Sequence, residues 1–147
     1  PGARSETIVT MINLLNGVES TAAAMTAERI RMDVVAQNIA NAEMSKGLDG
    51  RPYQRQKVVF ETVLRNQEQI GASSVQPKAV QVARIERDAR PPRQVYDAQR
   101  GLIELPNISV QEEMVDMIAS SRAFEANLAA LKTARSMAVQ TLSIGKR

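Results

Sequence analysis

Ser109–Ser143 reads SVQEEMVDMIASSRAFEANLAALKTARSMAVQTLS, with no Pro and no Gly anywhere in it. Helix interiors reject those two residues, at roughly 1 kcal/mol for Gly and 3 kcal/mol for Pro, so the stretch is free to be one helix of about 52 Å. Positions 110, 114, 117, 121, 124, 128, 131, 135, 138 and 142 are Val, Met, Met, Ser, Phe, Leu, Leu, Arg, Ala and Leu. The alternating spacing of four and three is a heptad seam, interrupted by Arg135. Ser109 and Glu112 have capping-box spacing, the hydroxyl accepting from an orphan amide while the carboxylate reaches back. Glu112, Glu113 and Asp116 fall where the positive end of the helix dipole favours acids.

Working outward, the start of the chain repeats the pattern. Positions 11, 15, 18, 22, 25, 29, 32, 36 and 39 are Met, Leu, Val, Ala, Met, Arg, Met, Ala and Ile. This second seam is broken by Arg29 and predicts a helix of about 46 Å from Met11 to Asn41. Asn41 suits a helix end because Asn tolerates the left-handed conformation there. Pro1–Thr10 precedes the seam as an N-terminal extension, an ordered extra contact or a flexible tail.

Five of the six prolines lie between Pro52 and Pro106, which makes the middle of the chain irregular. Lys57–Leu64, Lys78–Arg87, Arg93–Tyr96 and Leu102–Leu105 are β-prone, separated by turn signals at Gly47–Pro52, Gly71–Ser74 and Pro91–Pro92. One small antiparallel sheet of three to five strands is expected. The division is therefore 1–10, an extension; 11–44, an N-terminal helix; 45–106, a small β-rich region; and 107–147, a C-terminal helix. The fold class is mainly α with a small β insertion, the two long helices pairing. Residues 45–106 carry 11 basic and 7 acidic side chains, so the net charge of +3 resides in the middle segment.

Composition closes most enzymatic routes. With no His and no Cys, the chain lacks the parts of a Ser-His-Asp triad, a thiol nucleophile, a disulfide or a nitrogen/sulfur zinc site. No apolar run is long enough for a bilayer span, and the N-terminus does not read as a cleavable secretory signal. Tempting sites have plainer explanations. Glu112, Glu113 and Asp116 are read as helix-start acids rather than metal ligands. Arg84, Arg87, Arg90, Arg93 and Arg100 alternate with Glu86, Asp88 and Asp97, which favours a solvated strand face over a phosphate-binding strip. Met25, Met32, Met114 and Met117 stand at seam spacing rather than marking a peptide groove. Gly47 and Gly50 lack the Lys-Ser/Thr pair of a phosphate loop. No catalytic residue, cofactor, metal, nucleic acid, membrane insertion or small-molecule substrate is expected.

The seams pose a problem of partners. Thin stripes of Ala and Met bury modest area, and a two-helix hairpin leaves much of each stripe in water. The missing area must come from other chains. Arg29 and Arg135 either snorkel to a bundle edge or pair with acids on a neighbouring helix. Asn38 and Asn127 are either polar groups on the helix surface or pins between helices, and the small residues beside them favour pins. A rival from another class is a soluble helical binding module, such as an export chaperone or nucleic-acid adaptor.

The segment Asp33-Val34-Val35-Ala36-Gln37-Asn38-Ile39-Ala40-Asn41-Ala42 resembles the N-terminal signature of bacterial flagellar axial proteins (rod, hook and hook-associated). Glu113-Met114-Val115-Asp116-Met117-Ile118-Ala119-Ser120-Ser121-Arg122-Ala123-Phe124-Glu125-Ala126-Asn127 resembles their C-terminal signature. Pro52–Phe60 and Leu105-Pro106-Asn107-Ile108 narrow the resemblance to the short proximal-rod subunits. Phe124 stands where the family usually has Tyr, and the route from Ala98 to Ile103 is shorter than usual. The resemblance implies terminal helices paired as a coiled coil lining an axial tube, with the β region outward. It also implies helical stacking with copies of itself and other rod proteins, a place in the periplasmic rod of the basal body, and passage through the flagellar type III export apparatus without a cleaved signal. On the seams and these signatures, subunit-interface residues are expected at Met11, Leu15, Val18, Met25, Arg29, Met32, Asn38, Ile39 and Asn41. Their counterparts on the C-terminal helix are Val110, Met114, Met117, Arg122, Phe124, Asn127, Leu128, Leu131, Arg135 and Leu142.

Overall fold

The computed structural model describes residues 2–47, 50–64 and 78–144, with side chains over 16–47, 50–62 and 79–143. Six elements follow one another. They are α1 (Gly2–Ala40), β1 (Gln56–Leu64), β2 (Lys78–Arg87), β3 (Arg93–Asp97), β4 (Gly101–Leu105) and α2 (Val110–Ile144). Two long helices thus flank a small antiparallel β region, and no helix among the described residues is long and apolar enough to cross a membrane. α1 begins at Gly2, so the backbone from there to Thr10 continues the helix expected from Met11. The side chains of Met11 and Leu15, and the turn signal at Gly71–Ser74, lie outside the described residues.

The β region differs from the single sheet expected. Its four strands form two separate two-stranded sheets. β1 pairs antiparallel with β2, from Gln56 against Arg87 to Leu64 against Lys78. Val59 faces Arg84 and Phe60 faces Val82, which leaves Ala83 as the extra residue of a bulge. β3 pairs with β4, Arg93 against Leu105 and Asp97 against Gly101. Pro91 and Pro92 lie between the two hairpins and supply no backbone N–H to a ladder, so the sheet ends before them.

α1 packs against α2, β1 and β2, whereas β3 and β4 pack only on each other among the described elements. The helices run antiparallel where they meet: Arg31 reaches Asp116 and Asn38 reaches Glu113, later residues of α1 facing earlier ones of α2. The apolar core is small and sits at this junction, formed by Ala27, Val34, Val35, Ala42 and Ile108. Pro106, which is fully buried, delivers the chain from β4 to α2. At the start of α2 the Glu112 amide donates to Ser109 Oγ at 3.4 Å, and the Glu113 amide donates to the Ser109 carbonyl at 3.0 Å.

Most described seam positions are half-buried and the rest are exposed. On α2 the buried and half-buried positions include 113, 117, 120, 124, 127, 131, 134 and 138, while 114, 135 and 142 are exposed. On α1 the corresponding set is 20, 24, 27, 31, 34 and 38, while 22, 29 and 36 are exposed. Spacing of four and three is kept, and the inner register includes the small or polar side chains Ser20, Ala24, Ala27, Ser120, Asn127 and Ala134 beside Val34, Met117, Phe124 and Leu131. Small side chains let two helix backbones approach closely, and hydropathy undervalues them for that reason.

Candidate functional site

The most constrained point of the molecule is polar. Asn38, Glu113 and Ser120 are each fully buried. Asn38, in the last turns of α1, fills all four of its hydrogen-bonding positions. Its Nδ2 donates to the Gln56 carbonyl at 2.8 Å and to Glu113 Oε2 at 2.9 Å. Its Oδ1 accepts from the Gln56 amide at 2.9 Å and from the Tyr53 hydroxyl at 3.1 Å. An amide that matches a backbone donor and acceptor at once locks the first residue of β1 onto α1 with the geometry of a neighbouring strand.

Glu113 carries a charge into this interior and is matched there. Arg55 Nε donates to Glu113 Oε1 at 2.6 Å, a charge-assisted bond. The same guanidinium lies 3.8 Å from Asp88 and 3.9 Å from Asp116. Asp116 also accepts from Arg31 at 3.1 Å, and Arg31 lies 3.9 Å from Glu28. One relay of alternating charge therefore ties α1, the segment entering β1, the end of β2 and the first turns of α2. Ser120 satisfies its buried hydroxyl locally, donating to the Asp116 and Met117 carbonyls at 2.9 and 3.1 Å.

These surroundings shift two titrations. Burial, reinforced by the negative charge of Glu113 and opposed by Arg87, raises the Tyr53 phenol above its usual range. The Arg90 amide, bonded to Asp88 Oδ1 at 3.0 Å, is the main reason the Asp88 carboxyl sits below its usual range. Arg90 Nε adds a bond of 2.8 Å to Asp88 Oδ2. Chemically the cluster is a clasp: its donors and acceptors are spent on one another.

Of the expected interface residues, only Asn38 enters this clasp. Val18, Met25, Met32, Ile39 and Asn41 are half-buried on α1, and Arg29 is exposed. The Asn41 side chain closes its own helix end, donating to the Gln37 carbonyl at 2.7 Å. On α2, Val110, Met117, Phe124, Asn127, Leu128 and Leu131 are half-buried, while Met114, Arg122, Arg135 and Leu142 are exposed. The basic strip is exposed, and two members pair with its interleaved acids, Arg84 with Glu86 at 2.5 Å and Arg90 with Asp88.

Two family models match the segments that meet at the clasp. One, the flagellar basal body rod FlgEFG protein C-terminal, covers residues 99–144, and the other, the flagella basal body rod protein, covers residues 20–43. The flagellar basal-body rod protein FlgC of Borreliella burgdorferi is 35% identical across 90% of this chain and 98% of its own length. Its namesake in Yersinia enterocolitica is 34% identical across 92% and 100%, and that of Bacillus subtilis 34% across 86% and 94%. The chain belongs to the FlgC family of flagellar basal-body rod proteins.

As a FlgC-family member it is a structural subunit of the flagellar basal-body rod, and nothing in these matches points to an export chaperone. Asn38 and Glu113 each fall inside a matched segment; Arg55 and Tyr53 fall between the two. Sequence reasoning passed over Arg55 and Tyr53 as chemistry, and read Glu113 only as a helix-start acid. A signal was present for Glu113: it opens the four-three register that continues through Met117, Ser120 and Phe124. Nothing local marks Arg55, whose partner is 58 residues away.

Proposed function

We propose that residues 11–44 and 107–147 of this FlgC-family subunit pair as a coiled coil lining an axial tube, with residues 45–106 outward. Copies of the chain and other rod proteins stack on the uncovered faces, including Arg29, Met114, Arg122, Arg135 and Leu142. The resulting shaft transmits torque through the periplasm, and its lumen passes later export substrates. The subunit itself reaches the rod through the type III export apparatus without a cleaved signal, and performs no catalysis.

One observation carries this reading. Met114, Val115, Ile118, Met137, Val139 and Leu142 are among the large apolar side chains left exposed along α2. Surface of this kind on a helix is what lateral packing in a tube covers. Quantitative mass spectrometry of purified basal bodies tests it: the chain is expected in fixed ratio to the other rod proteins. Its absence from otherwise complete basal bodies would refute the assignment.

A further inference from the structure

The β3–β4 hairpin borders a hollow that it shares with the loop residues Ser45, Lys46, Gly50 and Pro52. It packs on no other described element, and a lone two-stranded hairpin is marginal in water. Yet its outer face is apolar at the centre: Tyr96 and Leu102 are cross-strand partners, exposed at 76% and 66%. Burial alternates along β4, so Leu102 and Glu104 share the outer face while Gly101, Ile103 and Leu105 turn inward. Arg100 stands at one end of that face and Glu104 at the other. Lys46 lines the same hollow of about 590 Å³ as Arg100, Leu102 and Glu104.

A complementary surface exists on the same chain. On the side of α2 turned away from α1, Glu112, Val115, Ile118 and Arg122 form one stripe, with Val115 and Ile118 exposed at 66% and 55%. Glu104, Glu112 and Arg122 take part in no ion pair among the described residues, and the Arg100 guanidinium lies near Asp97 of its own turn, whose Oδ1 accepts from the Arg100 amide. The order is acid, apolar, basic on the helix, and basic, apolar, acid on the hairpin.

We infer that the β3–β4 arm of one copy docks on the outer face of the first turns of α2 in a second copy. Arg100 meets Glu112, the Tyr96–Leu102 pair covers Val115 and Ile118, and Glu104 meets Arg122. The two surfaces differ, so the contact is heterologous; repeated, it propagates an open helical row instead of closing a dimer. This rests on the rod-subunit reading and names the surfaces through which copies join.

The cysteine-free chain permits a direct test. Basal bodies are isolated from cells whose sole copy carries Leu102→Cys and Ile118→Cys, then oxidised mildly and run without reductant. A ladder of dimers and higher multimers is expected from the double variant, and none from either single variant. Assembled basal bodies that give no cross-link overturn the inference, as do dimers from Leu102→Cys alone, which would mean a symmetric contact. Should the cysteines block incorporation, charge reversal decides. Arg100→Glu is expected to lower incorporation at least fivefold, and adding Glu112→Arg to restore it; failure to restore overturns the pairing. If the unsubstituted chain is itself missing from basal bodies, the rod reading fails, a result separable from the others.

Discussion

Replacing Arg55 by Met keeps an unbranched side chain in place and withdraws the positive charge from Glu113. Glu113 is fully buried and Arg55 retains only 17% exposure, so little water is present to take over from the lost 2.6 Å bond. The carboxylate would keep the Asn38 amide as its one remaining partner named above, with Asp116 close by as a second negative charge. Breaking one side of a buried pair costs about 3–5 kcal/mol, out of a total stability of about 5–15 kcal/mol. At this chain length the loss corresponds to a fall of about 6–20 °C in Tm. Glu113→Gln should be milder, about 1–2 kcal/mol, because the stranded Arg55 still has Asp88 and Asp116 within 3.9 Å. The double variant Arg55→Met with Glu113→Leu should regain most of the loss, since an apolar pair can replace a buried ionic one. Urea unfolding of the four proteins, compared at equal m-value, completes the cycle. A cost below about 1 kcal/mol for Arg55→Met, or strict additivity of the two substitutions, would refute the buried clasp.

Further outcomes follow from the same geometry. The Asp88 carboxyl is depressed, so its contribution is present above the unfolded value of about 3.9 and is lost as pH falls through the lower folded value; Asp88→Asn should flatten acid unfolding over that window. Tyr53 is raised, so its contribution holds below about pH 10 and is lost as pH climbs through the folded value. Tyr53→Phe should remove that alkaline slope, read by unfolding at stepped pH. Gly101 has φ of 76° in open space, so Gly101→Ala should cost about 1–2 kcal/mol of backbone strain, visible as loss of the β3–β4 cross-strand NMR contacts. Hydrogen exchange in dilute subunit should be slowest around Val34–Ala42 and Ile108–Ser120, where the buried residues gather, and fastest toward the end of α2.

Much of the architecture was legible because Pro and Gly punctuate the chain. Pro52 to Pro106 brackets the β region, and the stretches chosen for β-propensity match β1 to β4 within a residue or two. Their grouping was not legible, since nothing in Pro91–Pro92 distinguishes a bend within one sheet from a break between two. The seams were found at the correct spacing, and Met117, Phe124, Leu131 and Ala138 of the expected α2 seam do face inward, but the expected Met114, Arg135 and Leu142 are exposed. The register facing inward holds Ser120, Asn127 and Ala134, side chains that earn their place by being small. The clasp stayed hidden for another reason. Asn38 was singled out as a pin, but Glu113 and Arg55 acquire meaning only when the fold joins them.

The clasp also imposes an order in time. Its members lie 15, 18 and 75 positions from Asn38 along the chain, so a polypeptide that emerges N-terminus first can join Asn38 to Tyr53 and Gln56 early, while the bonds of Asn38 and Arg55 to Glu113 wait until Glu113 follows. Bringing α2 back to α1 requires closing a loop of that length, a slow step compared with local pairing. Until roughly three-quarters of the chain is out, α1 has β1 and β2 to rest on but no second helix. A subunit still being threaded through any narrow passage is thus held open by its own topology, and it becomes a finished building block only on release.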